Sequence, residues 1–179
     1  MVSRSINTSS LAYLKEIVLT YITGMILHLF HDGRCLADVA CLKDAIEMCY
    51  GIYGLRVQDQ GYLYVPLKGQ MMDAAKLLRY LEVVTGKQVS LWVIGGKIFY
   101  PGIGFVFGCS AEMCALLSAA EMEPEILAKE ALHEIGHLLG LGHCSKSCIM
   151  SLSGTIEHAR EKPSSLCISC SEQIRSPKI

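Results

Sequence analysis

The sequence predicts an α/β fold in which strands and helices alternate within one domain. Three observations carry this. Short β-rich apolar runs at residues 25–30, 89–94 and Cys114–Ser118 are separated by amphipathic stretches with helical spacing. A length of 179 residues suits a single core. A composition of 51% hydrophobic and 18% charged residues is too apolar for disorder.

The elements follow in order. Residues 9–21 read as a first helix, with Ser9 or Ser10 as N-cap. Residues 25–30 read as a buried strand, and His31, Asp32 and Gly33 as a turn. Residues 36–50 form an amphipathic helix presenting Val39, Leu42, Ile46 and Cys49 on one face. Residues 55–58 and 62–65 are short strands. A helix over 70–84 stops near Gly86. Residues 89–94 form a central strand, and 104–108 and Cys114–Ser118 two more. Glu123, Pro124 and Glu125 open a helix reaching about Leu139, with proline early and acids at the positive end of the dipole. From about Ser171 the chain reads as a frayed tail.

The composition excludes several function classes. A net charge of −1 argues against a dedicated nucleic-acid binder and against a polybasic membrane anchor. The longest apolar run, residues 17–30, is interrupted by Thr20, Thr23, Gly24 and His28 and is too short to span a bilayer. Lys15 and Glu16 do not suit a signal peptide, so the expected location is the cytoplasm, where thiols stay reduced. A monomer is the default expectation. Nine cysteines cannot all pair with one another.

The chemistry is concentrated between His133 and Cys170. In His133-Glu134-Ile135-Gly136-His137, the two histidines are four residues apart and share one helix face, so both can hold one zinc ion. Gly140 permits a left-handed helix end, and His143 can swing back as a third ligand. Three protein ligands leave a fourth position for water, and Glu134 is placed to take its proton. Cys144, Cys148, Cys167 and Cys170 have the spacing of a closed four-sulfur site, which is structural because it leaves no room for water. A second zinc there would fix the loop carrying His143. A redox role for the Cys167–Cys170 pair is a weaker reading, since no βαβ unit surrounds it. Cys35, Cys41, Cys49, Cys109 and Cys114 read as small buried hydrophobes. His28, His31 and His158 lack ligand spacing and read as structural or solvated.

This stretch resembles the archaemetzincin family, metzincin-type zinc metallopeptidases with an additional four-cysteine zinc site. The resemblance spans residues 133–170. It implies two zinc ions per chain: a catalytic one on His133, His137 and His143, and a structural one on Cys144, Cys148, Cys167 and Cys170. It implies Glu134 as general base and Met150 as the Met-turn methionine beneath the metal. Both loop gaps, three residues between Cys144 and Cys148 and sixteen between Met150 and Cys167, are one residue shorter than the family pattern. No tyrosine follows Tyr100, so a tyrosine switch ligand is absent.

The fold implied by the resemblance is a twisted, mostly parallel sheet with a backing helix over 70–81 and an active-site helix. Residues 1–140 would form an N-terminal subdomain and 141–179 a zinc-stabilised C-terminal one, within a single catalytic domain. An antiparallel edge strand within 105–117 would pair with an extended peptide substrate. Hydrolysis of peptide bonds is the implied activity. A catalytically weak peptide-binding module and a zinc-ribbon-like interaction domain are the alternatives.

Overall fold

A computed structural model describes residues 24–69, 71–86 and 88–175. The helix expected over 9–21 lies outside them. The strands are β1 (Ile26–His31), β2 (Arg56–Tyr62), β3 (Met71–Asp73), β4 (Ser90–Ile94), β5 (Lys97–Tyr100), β6 (Gly104–Val106), β7 (Gly108–Ala111) and β8 (Cys114–Ser118). The helices are α1 (Val39–Tyr50), α2 (Ala74–Thr85), α3 (Pro124–Leu138), α4 (Ile156–Glu161) and α5 (Ile168–Arg175).

The main sheet has the order β2-β1-β4-β8-β7. Its first four strands are mutually parallel, and only β7 runs antiparallel, against β8. The mostly parallel sheet with an antiparallel edge strand is therefore present. β4 and β8 are buried along their whole length, as near-continuous apolar strands inside a parallel sheet should be. A second sheet, β3-β5-β6, lies apart from it.

The sheet separates two apolar clusters. One joins α1 and α3 with the C-terminal segment, including Leu29, Ile46, Leu132, Ile149 and Met150. The other joins α2 with the opposite face through Leu77, Leu81, Trp92 and Leu116. Helix starts follow local side-chain chemistry. Asp38 caps α1 by accepting from the Cys41 amide at 3.0 Å, and Asp73 caps α2 by accepting from Lys76 at 3.1 Å.

Several expectations are corrected. Residues 55–58 and 62–65 are not two strands. A single strand, β2, covers the first and ends at Tyr62, while Leu63 only donates its amide to His31. The helix expected from Gln70 starts at Ala74, because Met71–Asp73 pair with β5 instead. Residues 104–108 do not form one strand: β6 belongs to the small sheet and β7 to the main one. The chain does not fray at Ser171, since α5 runs to Arg175 with Ile174 buried in the larger cluster. Among the described residues, no helix is long and apolar enough to cross a membrane.

Candidate metal centre and active-site cleft

Helix α3 carries His133, Glu134 and His137 and ends at Leu138, two residues before Gly140. Glu123 precedes it, Pro124 fills its first position, and Gly140 adopts φ +84°. The Gly140 amide donates to the His137 carbonyl at 2.9 Å, and the Leu141 amide to Gly136 at 2.9 Å. That left-handed turn brings His143 back beside the helix. Its ring stacks against His133 at 5.3 Å between centroids and lies edge-on to His137 at 4.9 Å.

The imidazole tautomers follow from their partners. Nδ1 of His133 is 3.0 Å from the Ile149 carbonyl, and Nδ1 of His137 is 2.8 Å from the Leu141 carbonyl. A carbonyl only accepts, so both Nδ1 atoms carry the hydrogen and both Nε2 atoms are bare acceptors. Burial holds His133 neutral, pushing it down to about 4, and lowers His137 as well. The two Nε2 atoms nevertheless face each other at 3.1 Å. Two lone pairs at that distance repel unless a cation lies between them. The spacing is close to the roughly 3.3 Å edge of a zinc tetrahedron with Zn–N near 2.0–2.1 Å. The three imidazoles therefore fit zinc, with their ligand atoms all within 4.8 Å of one another.

The second cluster brings together Cys144, Cys148, Cys167 and Cys170, also within 4.8 Å. The Sγ atoms of Cys144 and Cys167 are 3.8 Å apart. This is far beyond a disulfide bond and close to the roughly 3.8 Å edge of a tetrahedral four-sulfur zinc site. Backbone amides point at the sulfurs: Cys167 N lies 3.3 Å from Cys148 Sγ and Lys146 N 3.5 Å from Cys144 Sγ. At Cys148 burial raises the thiol, and the Cys167 amide works in the opposite direction. The Cys167–Cys170 pair does open a helix, α5, but the four sulfurs gather rather than two, and no strand precedes them.

The two clusters share one loop. Cys144 follows His143 directly, and its amide donates to the Met150 carbonyl at 2.9 Å. Cys148, Ile149 and Met150 are all fully buried beneath α3. Met150 lies against Gly136, where a Cβ would stand 2.2 Å from its Sδ and 3.1 Å from the Tyr50 hydroxyl. Tyr50 in turn donates to the Leu132 carbonyl at 2.6 Å.

Glu134 faces a cleft of about 850 Å³ bounded by β7, α3 and the segment after Met150. Its carboxylate presses on β7: a Cβ at Gly108 would stand 2.8 Å from its Cγ and 2.9 Å from its Oε1. Burial pushes the Glu134 carboxyl up to about 8, and the Ser110 hydroxyl and the Lys162 ammonium work in the opposite direction. One helical turn earlier, Glu130 lines the same cleft and meets Lys162 at 2.6 Å, with both side chains buried.

All the residues singled out as ligands, base and Met-turn thus converge. His28 and His31 stay on β1 and His158 on α4, outside both clusters. Of the five remaining cysteines, only Cys114 is buried. Cys35, Cys49 and Cys109 are half-buried, and Cys41 is exposed with its thiol directed to Asp38, so the expectation of a buried thiol fails there. Sequence reasoning missed Gly108, Tyr50, the carbonyls of Leu141 and Ile149, and the Glu130–Lys162 pair. Only Gly136 left a trace, as a glycine inside a helical pattern.

A family model described as peptidase family M54 matches residues 118–176. An archaemetzincin of Archaeoglobus fulgidus is 42% identical over 109 residues, covering 55% of this chain and 66% of that protein. One of Methanocaldococcus jannaschii is 34% identical over 131 residues, covering 64% of this chain and 71% of that protein. The chain thus spans about two thirds of the length of these relatives. The crystal structure of archaemetzincin from Methanopyrus kandleri superposes with a TM-score of 0.75 at 27% identity, covering 86% of this chain and 94% of that one.

Proposed function

The chain belongs to the archaemetzincin family, and from that premise we propose that it is a zinc-dependent peptidase whose reacting centre is formed by His133, His137, His143 and Glu134. The carrying observation is the approach of two bare Nε2 atoms to 3.1 Å beside a third imidazole, at the base of an open cleft. Two zinc ions per chain are assigned, one to the histidines and one to Cys144, Cys148, Cys167 and Cys170. Residues 1–140 and 141–179 act as two subdomains of one catalytic domain.

When bound, the histidine-site zinc supplies Lewis-acid polarisation of the scissile carbonyl and acidifies the attacking water. The protein supplies the rest. The Ile149 and Leu141 carbonyls fix the ring tautomers, leaving both Nε2 lone pairs free to hold a zinc ion. Glu134 accepts the water proton and returns it to the leaving amine. Burial pushes the Glu134 carboxyl up to about 8, and a zinc ion on the neighbouring histidines would draw it back toward the ionised form that accepts a proton. Met150 provides a fully buried apolar floor. Among the described residues, the edge of β7 away from β8 has no strand partner, and an extended peptide can add there by main-chain hydrogen bonds. The cysteine cluster is closed and structural, and the reduced thiols suit a cytoplasmic setting.

The test is digestion of a broad peptide library by the zinc-loaded protein, with and without chelator. Metal-dependent fragments support the reading. Their absence at high enzyme concentration overturns it in favour of a peptide-binding module.

A further inference from the structure

We propose that the cleft selects cationic, apolar peptides, and that Glu112 is a specificity-determining residue that takes a basic side chain on the N-terminal side of the scissile bond. This rests on the peptidase reading and names its substrate class. The chain as a whole balances 16 basic against 17 acidic residues. The cleft does not. Glu112, Glu130 and Glu134 line it, and no lysine or arginine does among the described residues.

The three carboxylates differ in what already faces them. Glu130 is neutralised by Lys162 at 2.6 Å. Glu134 is pressed against β7 and assigned to proton transfer. Glu112 stands exposed at the tip of the β7–β8 hairpin, held at φ +47°, and makes no ion pair among the described residues. It is the one cleft carboxylate left free for a ligand.

Position follows from strand geometry. The Glu134 side chain lies against Gly108, so a bond attacked beside Glu134 falls near this end of β7. Glu112 is four residues farther along the same hairpin, about 13 Å at 3.3 Å per residue. Antiparallel pairing is the more stable choice for an added strand, and it places the peptide's N-terminal half toward Glu112. A lysine or arginine three or four residues before the scissile bond therefore meets the carboxylate. Ile103 and Phe105, which precede β7 in the chain, and Leu152, from the segment after Met150, also line the cleft as large apolar side chains that are 73%, 45% and 69% exposed. A large apolar residue after the scissile bond covers them.

The experiment measures binding as well as cleavage. Matched fluorescent peptides carry Lys or Glu at the fourth residue before an apolar cleavage position. Their affinities are read by anisotropy on zinc-loaded Glu134→Ala protein, which keeps the cleft but does not turn over. The Lys peptide is expected to bind about fivefold more tightly, a preference that shrinks as salt rises. It reverses in the Glu112→Lys, Glu134→Ala double variant. Equal affinities, or a preference untouched by Glu112→Lys, overturn the proposal. Failure of the native enzyme to cleave any library peptide would instead sink the peptidase reading, while the binding comparison still judges Glu112.

Discussion

Gly136 and Met150 are packed so closely that a methyl group at position 136 would stand 2.2 Å from the Met150 Sδ. Met150 is fully buried, and the Tyr50 hydroxyl closes the other side at 3.1 Å, so neither neighbour can yield freely. Gly136→Ala would gain roughly 1 kcal/mol of helix propensity, but overpacking costs about 1–3 kcal/mol. The expected outcome is a lower melting temperature for the zinc-loaded protein and faster loss of zinc to a chelator. An unchanged melting temperature would show that the contact is soft.

Glu134 and His137 separate chemistry from metal binding. Glu134→Ala is expected to keep two zinc ions per chain and lose turnover by two or more orders of magnitude. His137→Ala is expected to hold one zinc, because the four sulfurs lie elsewhere and still fill. Metal analysis beside a peptide assay reads both, and wild-type turnover in Glu134→Ala would remove its role as base.

The legibility of the chain tracks the range of the interactions. Helix α3 was plain because its start at Pro124 and the left-handed Gly140 just past its end are written locally, and the ligand spacing along it is fixed by helical geometry. β4 and β8 were plain because a buried parallel strand is a continuous apolar run. β3, β5 and the division between β6 and β7 were hidden. Strands of three or four residues carry too little periodicity, and β3 finds β5 some 25 residues away. The same holds at the site. His133 was visible in sequence, but its partner is a backbone carbonyl at Ile149, which has no residue-type signature.

The buried Glu130–Lys162 pair yields a third prediction. The two atoms meet at 2.6 Å but lack hydrogen-bond alignment, so the pair stabilises the fold less than its burial suggests. Lys162→Met strands a buried carboxylate and should cost about 3–5 kcal/mol in urea unfolding. The Glu130→Leu, Lys162→Met double variant should recover most of that loss. A double variant as unstable as the single one would mean that the pair is held by contacts beyond its charges.

The four-cysteine site is expected to order the C-terminal segment. Cys170 sits in the first turn of α5, a helix of only eight residues with little core of its own beyond Ile174. A helix this short is marginal without tertiary support. Cys170→Ser should lower zinc content to one per chain and make the segment after Met150 sensitive to limited proteolysis. Two retained zinc ions would show that three sulfurs suffice.

Gly108 tests whether β7 positions the base. Its Cα faces the Glu134 side chain with no space for a Cβ, which would stand 2.8 Å from Cγ and 2.9 Å from Oε1. Cγ is held by the helix backbone two bonds away, so Gly108→Ala must either rotate the carboxylate off its position or push the edge strand outward. The three atoms nearest a Cβ at Gly108 all belong to Glu134 and none to a histidine, so metal content should stay at the wild-type level. Turnover should fall by one to two orders of magnitude, the scale on which displaced catalytic groups lose rate. The KM of Gly108→Ala, read against the native enzyme, should change little if the carboxylate moves, and should rise if the strand does. Full activity in Gly108→Ala would show that Glu134 reaches the attacking water from more than one rotamer.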